Sequence, residues 1–293
     1  MSEIASGDLT VGLAPEIGGS LAYFRKSGAD LLRPLSDADR ARGDVLGAAM
    51  FPMIPYANRI ADNQFTFDGR TYRFAQNNPP EKFNVHGTAW QLPWTERRVA
   101  DDETVLELLH VAPDEPYSYA AWQRIKLFPD RLVIATEVEN RGARRMPFGF
   151  GQHPWFMTDR DAVLRFDAGT VWLFGADILP TERLRPPPEL DFSSGATLPR
   201  AWRGLCYSQW PGTAEIRWPS RRLGLRIDAD PVFKHLMLYS DPKRPALCLE
   251  PQTNAVSAFT ALEEDLGGYD LGVIILEPGE QASGAMSFIP FAL

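Results

Sequence analysis

The feature that most constrains this chain is its side-chain period. Apolar and polar residues alternate one by one through much of its length, and turn residues interrupt the alternation at short intervals. A period of two belongs to a strand with unlike faces, whereas an amphipathic helix needs apolar residues at i, i+3, i+4 and i+7, a spacing that is scarce here. QFTFDGRTYRF shows it best: Phe65 and Phe67 alternate up to Asp68-Gly69, and Tyr72 and Phe74 alternate away from it. Asp-Gly is a favoured two-residue hairpin turn, because both positions tolerate a positive φ. AWQRIKLFPDRLVIATEVEN predicts a second hairpin turning at Pro129-Asp130, and AEIRWPSRRLGLRIDA a third turning near Ser220. HLMLYS, ALCLE, LGVIILE and GAMSFIPF read as further short strands. Only SDADRARGD (36–44) and the stretch from Asn254 to Leu266 suggest helices, both short. The 25 prolines and 23 glycines are spread evenly, so they punctuate strands and mark no linker. With no fixed-period repeat, the expectation is one all-β domain spanning 1–293.

Charge and composition narrow the partners. The formal net charge is −8, and no Lys/Arg run is longer than a pair such as Arg97-Arg98, Arg144-Arg145 or Arg221-Arg222. Such a chain repels polyanions, which argues against a nucleic-acid partner. No stretch approaches the roughly 18 apolar residues of a membrane span, and MSEIASGDLTVGL lacks the basic start and apolar run of a secretory leader. A cytoplasmic protein without membrane contact, monomeric or homodimeric, is the expectation. Cys206 and Cys248 sit in strand-like contexts without CxxC spacing and read as two buried thiols.

Three segments place titratable residues at the ends of apolar strands: PYANRI with the downstream NVHG (Asn58, Arg59, His86), GQHPWF (His153) and LCLEPQT (Glu250). Glu-Pro recurs at Glu277, but there Pro278-Gly279 is a turn signature and Glu280 follows, so Glu277 reads as the solvated lip of a hairpin. Glu250 instead ends ALCL, and Pro251 holds it extended; Pro154 restricts His153 in the same way. A stiff backbone suits a positioned acid or base. From the residues alone, His153 reads equally as a core histidine, Glu250 as a salt-bridge partner of Arg59, and His86 as a turn residue. His110 and His235 lie inside alternating strands and read as structural.

NRIADNQFTFDGRTYRFAQNN followed by NVHG, then MPFGFGQHPWF, then LCLEPQT, in that order, resembles the aldose 1-epimerase (galactose mutarotase) family. The likeness extends from LAPEIGGSLAYFRKSGADLLRP to ILEPGE. It implies a large antiparallel β-sandwich (a galactose mutarotase-like supersandwich) with the sugar site on the concave face of a sheet. It also implies interconversion of α and β anomers of a monosaccharide by acid/base chemistry, with no cofactor. On this resemblance Glu250 is the base on the C1 hydroxyl and His153 the acid on the ring oxygen. His86, Arg59 and Asn58 bind sugar hydroxyls, and Trp155, Phe83 or Trp90 could stack on the sugar. One departure stands out. Many members carry an aspartate in a stretch that here reads RGLCYSQWPG, with Gly204 at its position; Asp228, Asp230 or Asp241 could replace it from another strand.

Other classes stay open on the sequence. A carbohydrate-binding or sensor protein without turnover is consistent with the missing aspartate. An epimerase for a modified or phosphorylated sugar is kept open by Arg59, Arg73 and Lys82. His86, His153 and Glu250 also form a conceivable facial triad for Fe(II) or Zn(II), against which stands the absence of any His-x-His pair; the expectation is no metal.

Overall fold

A computed structural model describes residues 2–112, 114–159, 161–197, 203–240, 246–262 and 269–293. Two large antiparallel sheets dominate. The first has 11 strands, and its main path runs Ser2–Ser6, Leu9–Ala14, Ser20–Lys26, Met50–Met53, Gly151–Met157, Ala246–Gln252, His235–Ser240, Arg203–Ser208, Thr170–Phe174, Pro180–Leu184. The second has nine, in the order Ala196–Thr197, Val163–Phe166, Thr213–Trp218, Leu223–Ala229, Gln281–Ala292, Leu132–Asn140, Tyr119–Leu127, Glu103–His110, Thr95–Ala100. The predicted hairpins form where the turn chemistry placed them. Phe67 pairs with Arg70 across Asp68 (φ 50°) and Gly69 (φ 68°), both left-handed as a primed turn requires. Leu127 pairs with Leu132 around Pro129-Asp130, and Trp218 with Leu223 around Ser220.

The predicted helix at 36–44 appears as Asp37–Arg42, with the Ser36 hydroxyl accepting from Asp39 N–H at 3.1 Å and Gly43 closing it at φ 63°. The other expected helix does not form in its described part, residues 254–262, which are turns. Asn254 spends its side chain on Ala57, accepting from Ala57 N–H and donating to Ala57 O, both at 3.0 Å. Ser257 at φ 56° then breaks any helical run. No helix of the described residues is long and apolar enough to cross a membrane.

Alternation sorts the central strands of the first sheet into two faces. Phe156, Leu247, Leu249, Leu236 and Leu238 point to the second sheet and join Ile134, Val138, Leu225, Ile227 and Phe288 in one apolar core. Gln152 shares that inner face, its amide donating to Gln123 Oε1 at 2.9 Å and Thr136 Oγ1 at 3.1 Å. The alternate residues, His153, Trp155, Glu250, Met237 and Tyr239, point the other way and line a cavity. Both faces of these strands are buried, so stretches such as LMLY and ALCL read as continuous apolar runs.

Candidate functional site

Two neighbouring strands, Gly151–Met157 and Ala246–Gln252, set the centre of the site. They pair with Gly151 opposite Gln252 and Trp155 opposite Cys248, a register that puts His153 across from Glu250. Thr253 N–H donates to Phe150 O, and Trp155 N–H to Ala49 O on the far side, so positions 154 and 251 aim at each other's strand. Both are proline and carry no donor. His153 and Glu250 thus form the non-hydrogen-bonded pair between two thinned rungs, where Cα atoms stand about 4.5 Å apart and side chains are closest. His153 Nε2 lies 3.3 Å from Glu250 Oε1.

Burial fixes the electrostatics. Glu250 is 2% exposed, and desolvation pushes its pKa from 4.5 up to about 8, opposed by the charge of Arg59. The His153 ring stacks on Phe51 at 4.5 Å between centroids and 23° between planes, with Trp155 tilted against it at 5.1 Å. Phe51 itself stacks on Trp90. The imidazole is therefore clamped from the sides and open toward the cavity.

His86 and Arg59 reach the same cavity from two loop segments that pair with each other. Arg59 bridges Val85, and His86 N–H donates to Asn58 O at 2.9 Å. Asn58 (φ 64°) and His86 (φ 61°) are both left-handed, backbone strain of the kind that clusters at functional sites. Gly87 must follow His86, since a Cβ there would sit 2.3 Å from Pro55 Cδ and 2.4 Å from Ile54 O. The Asn58 N–H donates to His86 Nδ1 at 3.0 Å, which assigns the proton of the neutral ring to Nε2. Desolvation, then repulsion from His153 and Arg59, holds the His86 pKa well below 6.5. His86 stays a neutral Nε2–H donor; it is a turn residue and a cavity residue at once. Its ring meets His153 edge-on at 5.4 Å.

Arg59 pairs with Glu81 and not with Glu250. Its Nη2 donates to Glu81 Oε2 at 2.8 Å, and its Nη1 to Asn58 Oδ1 at 3.1 Å. Asn58, Arg59, His86, His153 and Glu250, named from three distant segments, all line one cavity of about 510 Å³. Asn78, Glu81, Met237, Tyr239 and Ile178 line it as well, and no sequence signal singled them out. Of the aromatic candidates Trp155 lines the cavity; Phe83 and Trp90 are buried and do not line it, with Trp90 Nε1 donating to Val85 O and Gly87 O. His110 faces Glu115 at 3.0 Å, and His235 is buried with Nδ1 2.7 Å from Ser208 Oγ; neither lines the cavity. Cys206 and Cys248 are both buried, and no disulfide joins them. Among the described residues the ligand-capable atoms that gather are those of His153, Cys248 and Glu250, so His86 is not a member of the triad considered from the sequence.

A family model described as Aldose 1-epimerase matches residues 4–288. This chain belongs to the aldose 1-epimerase family. The protein YphB of Escherichia coli (strain K12) is 30% identical over 292 residues, covering 97% of this chain and 96% of its own. A solved structure from Escherichia coli K12 matches with a TM-score of 0.90 at 29% identity, covering 99% of this chain and 98% of that one. A galactose mutarotase-like protein from Clostridium acetobutylicum shares the fold, with a TM-score of 0.86 at 20% identity over 99% of this chain and 95% of its own.

In this member of the aldose 1-epimerase family, the departure at Gly204 falls on the cavity-side face of the first sheet. Gly204 pairs with Tyr239 and Cys206 with Met237, and directly opposed residues share a face. Since Met237 and Tyr239 line the cavity, Gly204 lies on the same face and contributes no carboxylate to it. Asp228 and Asp230 do not replace it. Asp228 stands on the second sheet, held by Arg226, and Asp230 accepts from Ala285 N–H at 2.8 Å. Asp241 lies outside the described residues.

Proposed function

We propose that the protein is a mutarotase that interconverts the α and β anomers of an aldose by acid/base ring opening, with Glu250 and His153 as the catalytic pair. The observation that carries this reading is the 3.3 Å approach of His153 Nε2 to Glu250 Oε1 at the wall of a cavity of about 510 Å³. That volume lies within the roughly 300–1,000 Å³ of small-molecule sites.

The chemistry needs one proton held between the two groups. With Glu250 ionised and His153 protonated, the carboxylate takes the proton of the C1 hydroxyl while Nε2–H protonates the ring oxygen. The C1–O5 bond breaks and C1 becomes an aldehyde. After rotation about C1–C2 the ring oxygen attacks the other face, its proton returns to His153, and the Glu250 proton goes to the former carbonyl oxygen. The pair ends as it began, so no cofactor enters the balance. A glutamate left at 4.5 would hold its charge too strongly to accept and return a proton readily; one raised to about 8 sits within reach of an imidazole. His86 donates through Nε2–H to a sugar oxygen, Arg59 donates to hydroxyls, and Asn58 acts by positioning Arg59 and His86.

Polarimetry on freshly dissolved α-glucose, α-galactose and other aldoses tests this. The parent protein speeds anomerisation of at least one of them. His153→Asn is expected to lose roughly 10²–10⁴-fold in kcat, while binding of the sugar, read by Trp155 fluorescence, persists. A variant as fast as the parent would remove His153 from the mechanism. Sugar binding without any turnover by the parent would favour the sensor reading.

A further inference from the structure

Glu250 has a neighbour on its own face that the proton-transfer cycle never uses. Cys248 precedes it by two positions on the same strand, and the thiol sits among Trp155 and Ala246, beside the ring of Tyr239. One ligand atom each from His153, Cys248 and Glu250 lie within 4.8 Å of one another, and all three residues are buried. Some point therefore lies within about 2.8 Å of all three atoms, against about 2.0–2.3 Å for zinc–ligand bonds. Side-chain shifts of less than about an ångström would close the set. Nitrogen, thiolate and carboxylate together favour zinc-like ions over calcium or magnesium. Charge points the same way. A divalent cation held by one thiolate, one carboxylate and a neutral imidazole has no net charge, which a buried site accepts far better than either anion alone. Binding releases the thiol proton, and the proton of Glu250 or His153, to solvent.

We propose that His153, Cys248 and Glu250 form a binding site for a zinc-class divalent cation, which enters through the sugar cavity and excludes proton transfer while it is bound. The cation and the sugar are mutually exclusive, because the ion takes the lone pairs that the reaction needs. Inhibition of turnover rests on the mutarotase reading; binding of the ion does not.

Cobalt(II) titrated into the metal-free wild-type protein tests the site independently of turnover. A saturable, one-to-one near-ultraviolet absorption of the thiolate-to-cobalt type is expected; zinc should abolish it, Cys206→Ala should retain it and Cys248→Ala should lose it. In the polarimetric assay zinc is expected to inhibit the parent, with relief by chelator and by excess sugar. Cys248→Ala should turn over normally and need at least the ~10–100-fold more zinc that loss of a supporting group costs. Turnover with no thiolate–cobalt band overturns the metal site and leaves the mutarotase reading standing; a band with no turnover of any aldose does the reverse. Equal zinc sensitivity of Cys248→Ala and parent also overturns the site. Where Cys248→Ala fails to fold, the band in the parent and in Cys206→Ala decides.

Discussion

The Glu-Pro dipeptides at Glu250 and Glu277 end in opposite environments. Glu250 is 2% exposed on a strand held between the Gly151–Met157 and His235–Ser240 strands, and its proton affinity is raised to about 8. Glu277 is exposed just past the three-residue strand Ile274–Leu276, which pairs with Met146–Phe148 in a two-stranded sheet among the described residues. Past Glu277 the chain turns at once, with Gly279 at φ 82° and Glu280 N–H donating to Glu277 O at 2.9 Å. Past Glu250 the strand continues through Pro251 and Gln252, and the missing donor of Pro251 thins the ladder beside His153. The dipeptide therefore carries no chemistry by itself. Neighbouring strands bury one copy and raise its proton affinity, while the other stands exposed at a turn.

The strongest way to break this contrast is to neutralise each glutamate in turn. Glu250→Gln keeps size and hydrogen bonding but cannot exchange a proton, and is expected to cut kcat by roughly 10²–10⁴. Glu277→Gln should leave kcat and KM within twofold of the parent. Equal losses in polarimetry would show that the difference in burial has no catalytic meaning.

Stability against pH gives a smaller contrast. Glu250 binds its proton more tightly in the folded state, about 8 against 4.5, so the stabilisation is complete below pH 4.5 and is lost as pH rises to about 8. Over that window the parent should lose on the order of a few kcal/mol that Glu250→Gln does not lose. Urea unfolding at pH 5 and pH 8 measures it. Turnover should fall as pH rises through about 8, because above it the proposed catalytic pair no longer holds a proton to give.

How far the sequence reached follows the range of the interactions. Hairpins at Asp68-Gly69, Pro129-Asp130 and Ser220 were legible because a turn acts on its immediate neighbours. The pairing of His153 with Glu250 came from ordered motifs and their family resemblance, since no local rule puts residues of two distant strands in register. HLMLYS hid its polarity: Leu236 and Leu238 face the core and Met237 and Tyr239 the cavity, yet all four suit a strand covered on both faces. Glu81 was missed because, in a loop behind Pro79-Pro80, nothing distinguishes it from a solvated charge until Arg59 is folded against it. Asp228 and Asp230 looked available only because spacing along the chain does not say which sheet a strand joins.

Glu81 supplies the smallest expected effect, and one that acts on the contrast itself. Its carboxylate engages Arg59, whose positive charge is the influence that lowers the Glu250 pKa against the larger effect of burial. Glu81→Gln removes a neutralising charge while leaving a partner for the guanidinium, so Arg59 should act more strongly on Glu250 and lower its proton affinity a little. The pair is partly exposed, with side-chain exposures of 12% and 34%, so its coupling is about 1 kcal/mol or less. The alkaline limb of the kcat profile should therefore shift down by a fraction of a pH unit, while a looser Arg59 raises KM a few-fold and changes kcat less than tenfold. Polarimetric rates across the alkaline limb measure both. An unmoved limb would mean that Arg59 does not set the proton affinity of Glu250, and an upward shift would reverse the sign of the coupling.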